Sequence, residues 1–149
     1  MLEHDSDARE ELKRADHLLY VTLKYTKNID VIKNAIRRLV NSCDYTILDV
    51  MEYLKSRKKI KEISLMPITR AEETKKYLKK PELKEFIDFY LMLKRVDRAE
   101  YTKKEEFKKN VRLVVMDDNG ITYEINIEKL YEFYEKTKDF IRYVEENYK

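Results

Sequence analysis

One glycine (Gly120), two prolines (Pro67 and Pro81), one cysteine (Cys43) and no glutamine or tryptophan occur in the 149 residues of this chain. A single glycine excludes a glycine-rich loop wrapped around a phosphate. So few chain breakers favour long helices over many short strands. A lone cysteine can form neither an intramolecular disulfide nor a thiolate metal cluster, and Cys43 falls on an apolar helix face, where it reads as a small buried hydrophobe. Only two histidines are present, His4 and His17, with no nucleophile elbow and no spaced set of histidine and acidic ligands. Neither a metal nor a cofactor is therefore expected. No run approaches the roughly 18 apolar residues of a membrane span. The acidic start Leu2-Glu3-His4-Asp5 has no signal-peptide character, so a cytoplasmic protein is the expectation.

What is present is charge and apolar mass together. Charged residues make up 41% of the chain and hydrophobic residues 43%, twelve of them tyrosine. Both signs are interspersed, which fits a folded, highly charged surface rather than disorder. Abundant Lys, Glu, Ile and Tyr without Gln is a composition common in heat-adapted proteins. The length fits a single domain able to bury most of a core without a staple.

The longest periodic apolar pattern covers residues 7–58 and predicts a long antiparallel helix pair broken at Asn28-Ile29-Asp30. Asp7-Ala8-Arg9-Glu10 has the capping-box pattern, and Ala8, Leu12, Ala15, Leu19, Leu23 and Thr26 follow on one face. Asp30 is the expected cap of the second helix. Along that helix Ile32, Ile36, Leu39, Val40, Cys43, Ile47, Val50 and Leu54 make one continuous stripe. The opposite side carries Arg37, Asn41, Asp44, Tyr45, Leu48 and Glu52.

Shorter helices are expected over residues 59–110, after a connector from Ile60 to Pro67. Thr69-Arg70-Ala71-Glu72 is the first expected start, Pro81 the second, as a first-turn proline, and Thr102-Lys103-Lys104-Glu105 a third. The Pro81 helix should face inward with Leu83, Phe86, Tyr90 and Leu93, widened by Phe89 and Val96. Residues 111–127 alternate around Asp117-Asp118-Asn119-Gly120 and predict a β-hairpin. A two-residue turn there would place Val114 and Met116 on the face of Tyr123 and Ile125. A closing helix over residues 128–148 presents Leu130, Phe133, Tyr134, Thr137, Ile141, Val144 and Tyr148 as a single stripe. The fold class is thus mainly α, a single-domain helical bundle with one hairpin.

Charge is distributed unevenly. From Lys55 to Lys80 ten basic residues stand against three acidic ones, so the rest of the chain is net acidic within an overall charge of +3. Lys55, Arg57, Lys58, Lys59 and Lys61, then Lys75, Lys76, Lys79 and Lys80, are the candidate surface for nucleic acid or another acidic partner. Lys103, Lys104, Lys108, Lys109 and Arg112 would extend it if the chain folds back. The competing reading is a solvated lysine face.

His17, with Arg14, is the candidate general acid or base, since only histidine titrates near neutrality without perturbation. Asp16 and Tyr20 are expected to line the same groove. Leu18, Val21 and Tyr25 on the first helix, with Tyr45 and Leu48 on the second, lie off the main stripes and are candidates for contact with later helices or with a second copy in a homodimer.

The two long helices, the Arg37-Arg38 and Asn41 cluster and the shorter helices that follow resemble, over about two thirds of the chain, the HEPN class of small helical bundles found in prokaryotic defence and toxin systems. Ribonuclease members of that class carry an Arg followed after four to six residues by a His on a late helix. Here Arg14 and His17 are separated by two residues and Arg9 and His17 by seven, so that motif is not met. The resemblance then implies the non-catalytic members, which bind nucleotides or partner proteins. The expectation is a non-enzymatic binding or assembly module engaging nucleic acid or an acidic partner through its basic middle. A HEPN-like nuclease or toxin-system component using His17 and Arg14 is one alternative, and a purely structural homo-oligomer the other.

Overall fold

A computed structural model describes residues 6–149 as a mainly α-helical bundle with a small antiparallel sheet inserted before the last helix. His4 and the acidic start lie outside the described residues. The first helix, α1 (Asp7–His17), passes through a π-helical turn at Leu18–Thr22 into a last short turn, α2 (Leu23–Tyr25). Then come α3 (Ile29–Ser56), α4 (Pro67–Tyr77), α5 (Pro81–Arg98), the strands β1 (Glu100–Lys104), β2 (Arg112–Met116) and β3 (Thr122–Asn126), and α6 (Ile127–Asn147).

The helix starts obey capping chemistry, but not always at the expected residue. Ser6, not Asp7, caps α1, its hydroxyl accepting from the Arg9 amide at 3.2 Å. Asn28, not Asp30, caps α3, accepting from the Asp30 amide at 2.7 Å, so that Asp30 sits in the first turn, where its charge suits the helix dipole. Helix α4 begins two residues before the expected Thr69, because Pro67 is already shaped for the first helical position. Thr102 starts no helix; it lies in β1, an edge strand whose five residues are all exposed.

Helix α3, with 28 residues, is about 42 Å long and forms the axis of the bundle. Every member of its expected stripe, from Ile32 to Leu54, is buried. Ser42 donates to the Ala8 carbonyl at 2.8 Å and Arg38 meets Glu11 at 3.2 Å, so α1 runs antiparallel to α3. On another side Lys94 approaches Asp44 at 3.7 Å and Arg37 holds Asp97 at 2.9 Å, which sets α5 antiparallel to α3. Helix α6 closes the bundle parallel to α3. Its Tyr134 hydroxyl donates to Asp16 at 3.0 Å, Arg9 pairs with Glu145, and the Tyr148 ring lies 5.2 Å from Tyr53. The stripe expected on α6 is buried throughout, with Phe140 in addition. On α5, Ile87 is buried where Phe86 is only half-buried.

The sheet has three strands in the order β1-β2-β3, all antiparallel. Its hairpin reverses the expected faces. Leu113 pairs with Ile125 and Val115 with Tyr123, while Val114 and Met116 oppose Glu124 and Thr122. The cause is the turn: Asp117 closes on Ile121 around three loop residues, with Gly120 at φ +80 taking the left-handed conformation that such a loop needs. One residue more than a two-residue turn shifts the parity, so Leu113 and Val115 are buried and Met116 is exposed.

The molecule therefore has two distinct ends. The sheet end holds the strands, the start of α3 and the loop 105–110, which is fastened where the Phe107 amide donates to the Lys27 carbonyl at 2.7 Å and the Ile29 amide to Glu106 at 3.0 Å. The opposite end holds the C-termini of α3 and α6 and the turn from α4 into α5. Among the described residues no helix is long and apolar enough to cross a membrane.

Candidate functional site

The end opposite the sheet is built by helix termini. Helix α3 stops in a C-terminal motif in which the Lys59 amide donates to the Leu54 carbonyl at 2.9 Å and Lys58 is left-handed at φ 60. The connector turns back, held where Arg70 donates to the Ser64 carbonyl at 2.7 Å. Helices α4 and α5 are antiparallel, with Lys75 reaching Asp88 at 3.1 Å, so the end of α4 and the start of α5 arrive at the same end of the bundle as the end of α3. Glu82 of α5 and Tyr143 of α6 line a common cleft, and the Tyr148 ring packs on both Tyr143 and Tyr53 of α3, which brings the start of α5 to the ends of α3 and α6.

Lys55, Arg57, Lys58, Lys59, Lys61, Lys76, Lys79 and Lys80 are all exposed there. Of the nine basic residues expected to form this surface, only Lys75 meets a carboxylate among the described residues. Elsewhere Arg9 pairs with Glu145, Arg37 with Asp97, Arg38 with Glu11 and Lys136 with Glu85, while Lys24, Lys27, Lys104, Lys109 and Lys138 also meet no carboxylate among the described residues. Two members of the set lie over aromatic rings instead, Arg57 over Tyr53 at 5.0 Å and Lys76 over Tyr77 at 5.4 Å. The later basic residues do not join this surface. Lys103 and Lys108 belong to the sheet end, where Lys103 lies 3.8 Å from Glu106 and Lys108 3.5 Å from Glu105, and Arg112 pairs with Glu124.

The second candidate, around His17, is a shallow cleft of about 350 Å³ lined by Lys13, Arg14, His17, Leu18 and Arg38. Arg14 and His17 come together there with Arg38 of α3. The buried Glu11 holds this group from below, 3.2 Å from Arg38, 3.4 Å from Arg14 and 3.5 Å from the Asn41 amide. Asp16 and Tyr20 face away from it. Asp16 accepts from Tyr134, and the Tyr20 ring stacks on Tyr131 at 5.0 Å, both toward α6. The five residues that line the cleft include no carboxylate, and the acid nearest to them, Glu11, is paired with Arg14 and Arg38. Among the described residues no three His, Cys, Asp or Glu side chains are grouped to hold a metal ion. Cys43 is fully buried, and burial pushes its thiol far up.

The residues singled out for contact are divided. Leu18 and Leu48 are half-buried, whereas Val21, Tyr25 and Tyr45 are exposed, Tyr25 to 83%. Val21 and Tyr25 lie toward the sheet end, while Tyr45 lies beyond Ser42, which already sits opposite the first turn of α1. They do not make one patch. The π-helical turn at Leu18–Thr22 carried no signal in the apolar periodicity; it turns Tyr20 onto the α6 tyrosines. Comparison with protein-family models, curated proteins and solved structures finds no match.

Proposed function

We propose that the protein is a non-enzymatic binding module that holds nucleic acid on the basic end of its helical bundle. The observation that carries this reading is clustering: eight exposed basic side chains that meet no carboxylate among the described residues gather at one end of the bundle, where Lys75 alone of the expected set is paired. Side chains that only solubilise would be expected to be mixed with acids. A concentrated, unneutralised set is what a polyanion needs, because each phosphate contact releases condensed counterions. The two cations stacked over tyrosine rings add surfaces on which a base can rest.

Fluorescence anisotropy with labelled RNA and DNA over a salt series tests this. Binding at low salt should fall steeply as salt rises, and joint reversal of Lys55, Lys59, Lys79 and Lys80 to Glu should abolish it. Reversal of Lys103 and Lys108, at the sheet end, should change the affinity by less than about two-fold. Absence of binding at low salt, or equal loss from both sets, would overturn the reading.

A further inference from the structure

Helix α4 ends at Tyr77 and α5 starts at Pro81, leaving Leu78-Lys79-Lys80 as the whole turn, closed by the Lys80 amide donating to the Leu78 carbonyl at 2.9 Å. An open cleft of about 440 Å³ lies over this corner, lined by Lys75, Leu78, Lys79, Lys80, Pro81 and Lys84. Its size is within the range of small-molecule sites. Four of its six lining residues are lysines, yet the lining is mainly apolar, so the cleft is floored by Leu78, Pro81 and lysine methylene stems. Two of the ammonium groups are drawn aside to Asp88, Lys75 at 3.1 Å and Lys84 at 2.7 Å. Lys79 and Lys80 are left without a carboxylate among the described residues. Beside the turn the Tyr77 ring is 42% exposed, with the Lys76 ammonium 5.4 Å from its centre.

We propose that this corner selects single-stranded over duplex nucleic acid, taking one base in the cleft over Leu78 and Pro81 and another against Tyr77 while Lys79 and Lys80 hold the intervening phosphates. The proposal rests on the reading of the basic end as a nucleic-acid surface and deepens it. An apolar floor and the exposed part of the Tyr77 ring that Lys76 does not cover offer contact to the face of a base, and a duplex keeps those faces stacked inside. Lysine ammonium groups at the rim of an apolar floor match a ligand that alternates charged and flat parts. A ligand with phosphates alone would leave the floor and the ring unused.

Anisotropy with a fluorescein-labelled oligouridylate, with the same strand in a duplex, and with phosphatidylglycerol vesicles as competitor decides the question. The single strand should bind about ten-fold or more tightly than the duplex, and vesicles should compete poorly. Tyr77→Ala should weaken single-strand binding roughly five- to hundred-fold without changing the slope of log affinity against log salt. Tyr77→Phe should keep the affinity, since the ring face and not the hydroxyl is used. Joint Lys79→Ala and Lys80→Ala substitution should reduce that slope by about 1.4, two phosphate contacts on a single strand. Equal affinity for strand and duplex with a neutral Tyr77→Ala overturns this inference and leaves the basic-end reading standing. Vesicles that bind more tightly than the strand overturn it as well. Failure of both nucleic acids to bind at low salt removes the basic-end reading and this inference with it.

Discussion

Lys58 occupies the position after α3 where glycine is the usual residue, and it takes φ 60 to let Lys59 close the helix. A side chain with a Cβ costs about 1–2 kcal/mol in that conformation. Lys58→Gly is therefore expected to raise stability by about 1 kcal/mol after the added entropy of glycine in the unfolded chain is subtracted, read as a higher urea midpoint at unchanged slope. The same substitution removes one exposed cation from the basic end, so nucleic-acid affinity should fall while stability rises. Opposite changes would show a charge held there at a cost to the fold. A midpoint that falls would mean that the Lys58 backbone is not strained. Strain of this kind is invisible in the sequence, because nothing in Arg57-Lys58-Lys59 announces a left-handed residue.

At the scale of elements, the periodic helices were legible and the hairpin only half so. The stripes of α3 and α6 are buried as read, because a face repeating at helical spacing has one way to turn inward. The hairpin was legible as a hairpin, but its faces depended on a single loop residue that the Asp-Asp-Asn-Gly run leaves open. Leu113→Ala should cost about 2–5 kcal/mol, since Leu113 is fully buried beside Ile125, whereas Met116→Ala should cost less than about 0.5 kcal/mol at a 56% exposed position. Chemical denaturation of the two variants measures this, and the reverse order would restore the two-residue turn. Strand β1 escaped notice for a different reason: Glu-Tyr-Thr-Lys-Lys has no apolar alternation, and it becomes a strand only because β2 offers it an edge. The charged side chains that hid it are those that protect an exposed edge from pairing with another chain. The candidate site was legible to a similar degree. The basic run stood out in composition, but which lysines lack a carboxylate is set by helix packing between segments apart in sequence, as in Lys75 with Asp88 and Lys94 with Asp44.

At the scale of the whole molecule, tyrosines form the seams between helices. Tyr134 of α6 donates to Asp16 of α1, Tyr90 of α5 donates to Asp44 of α3, Tyr148 packs on Tyr53, and Tyr20 stacks on Tyr131. In Tyr20, Tyr90, Tyr134 and Tyr148 the hydroxyl is held above its ordinary range first by burial. Nearby carboxylates add to this in the first three, and for Tyr148, pushed to about 12, a bond to Tyr143 comes next. The unfolded chain loses these protons near pH 10 and the folded chain later, so above pH 10 the native state binds more protons than the unfolded one. Stability from these groups is complete below that point and is lost as pH rises through the folded values. The melting temperature should hold to about pH 9 and then fall across roughly pH 10–12. Absorbance at about 295 nm, which reports ionised phenol, should show a late phase that coincides with loss of helical circular dichroism, because the buried Tyr90, Tyr134 and Tyr148 can ionise freely only when the seams open. Tyr134→Phe keeps the ring and removes both the bond to Asp16 and one late proton. It should lower the melting temperature at neutral pH and make the alkaline fall shallower. A late phase that finishes while the helices remain intact would show that the phenols ionise within the bundle and do not hold it closed.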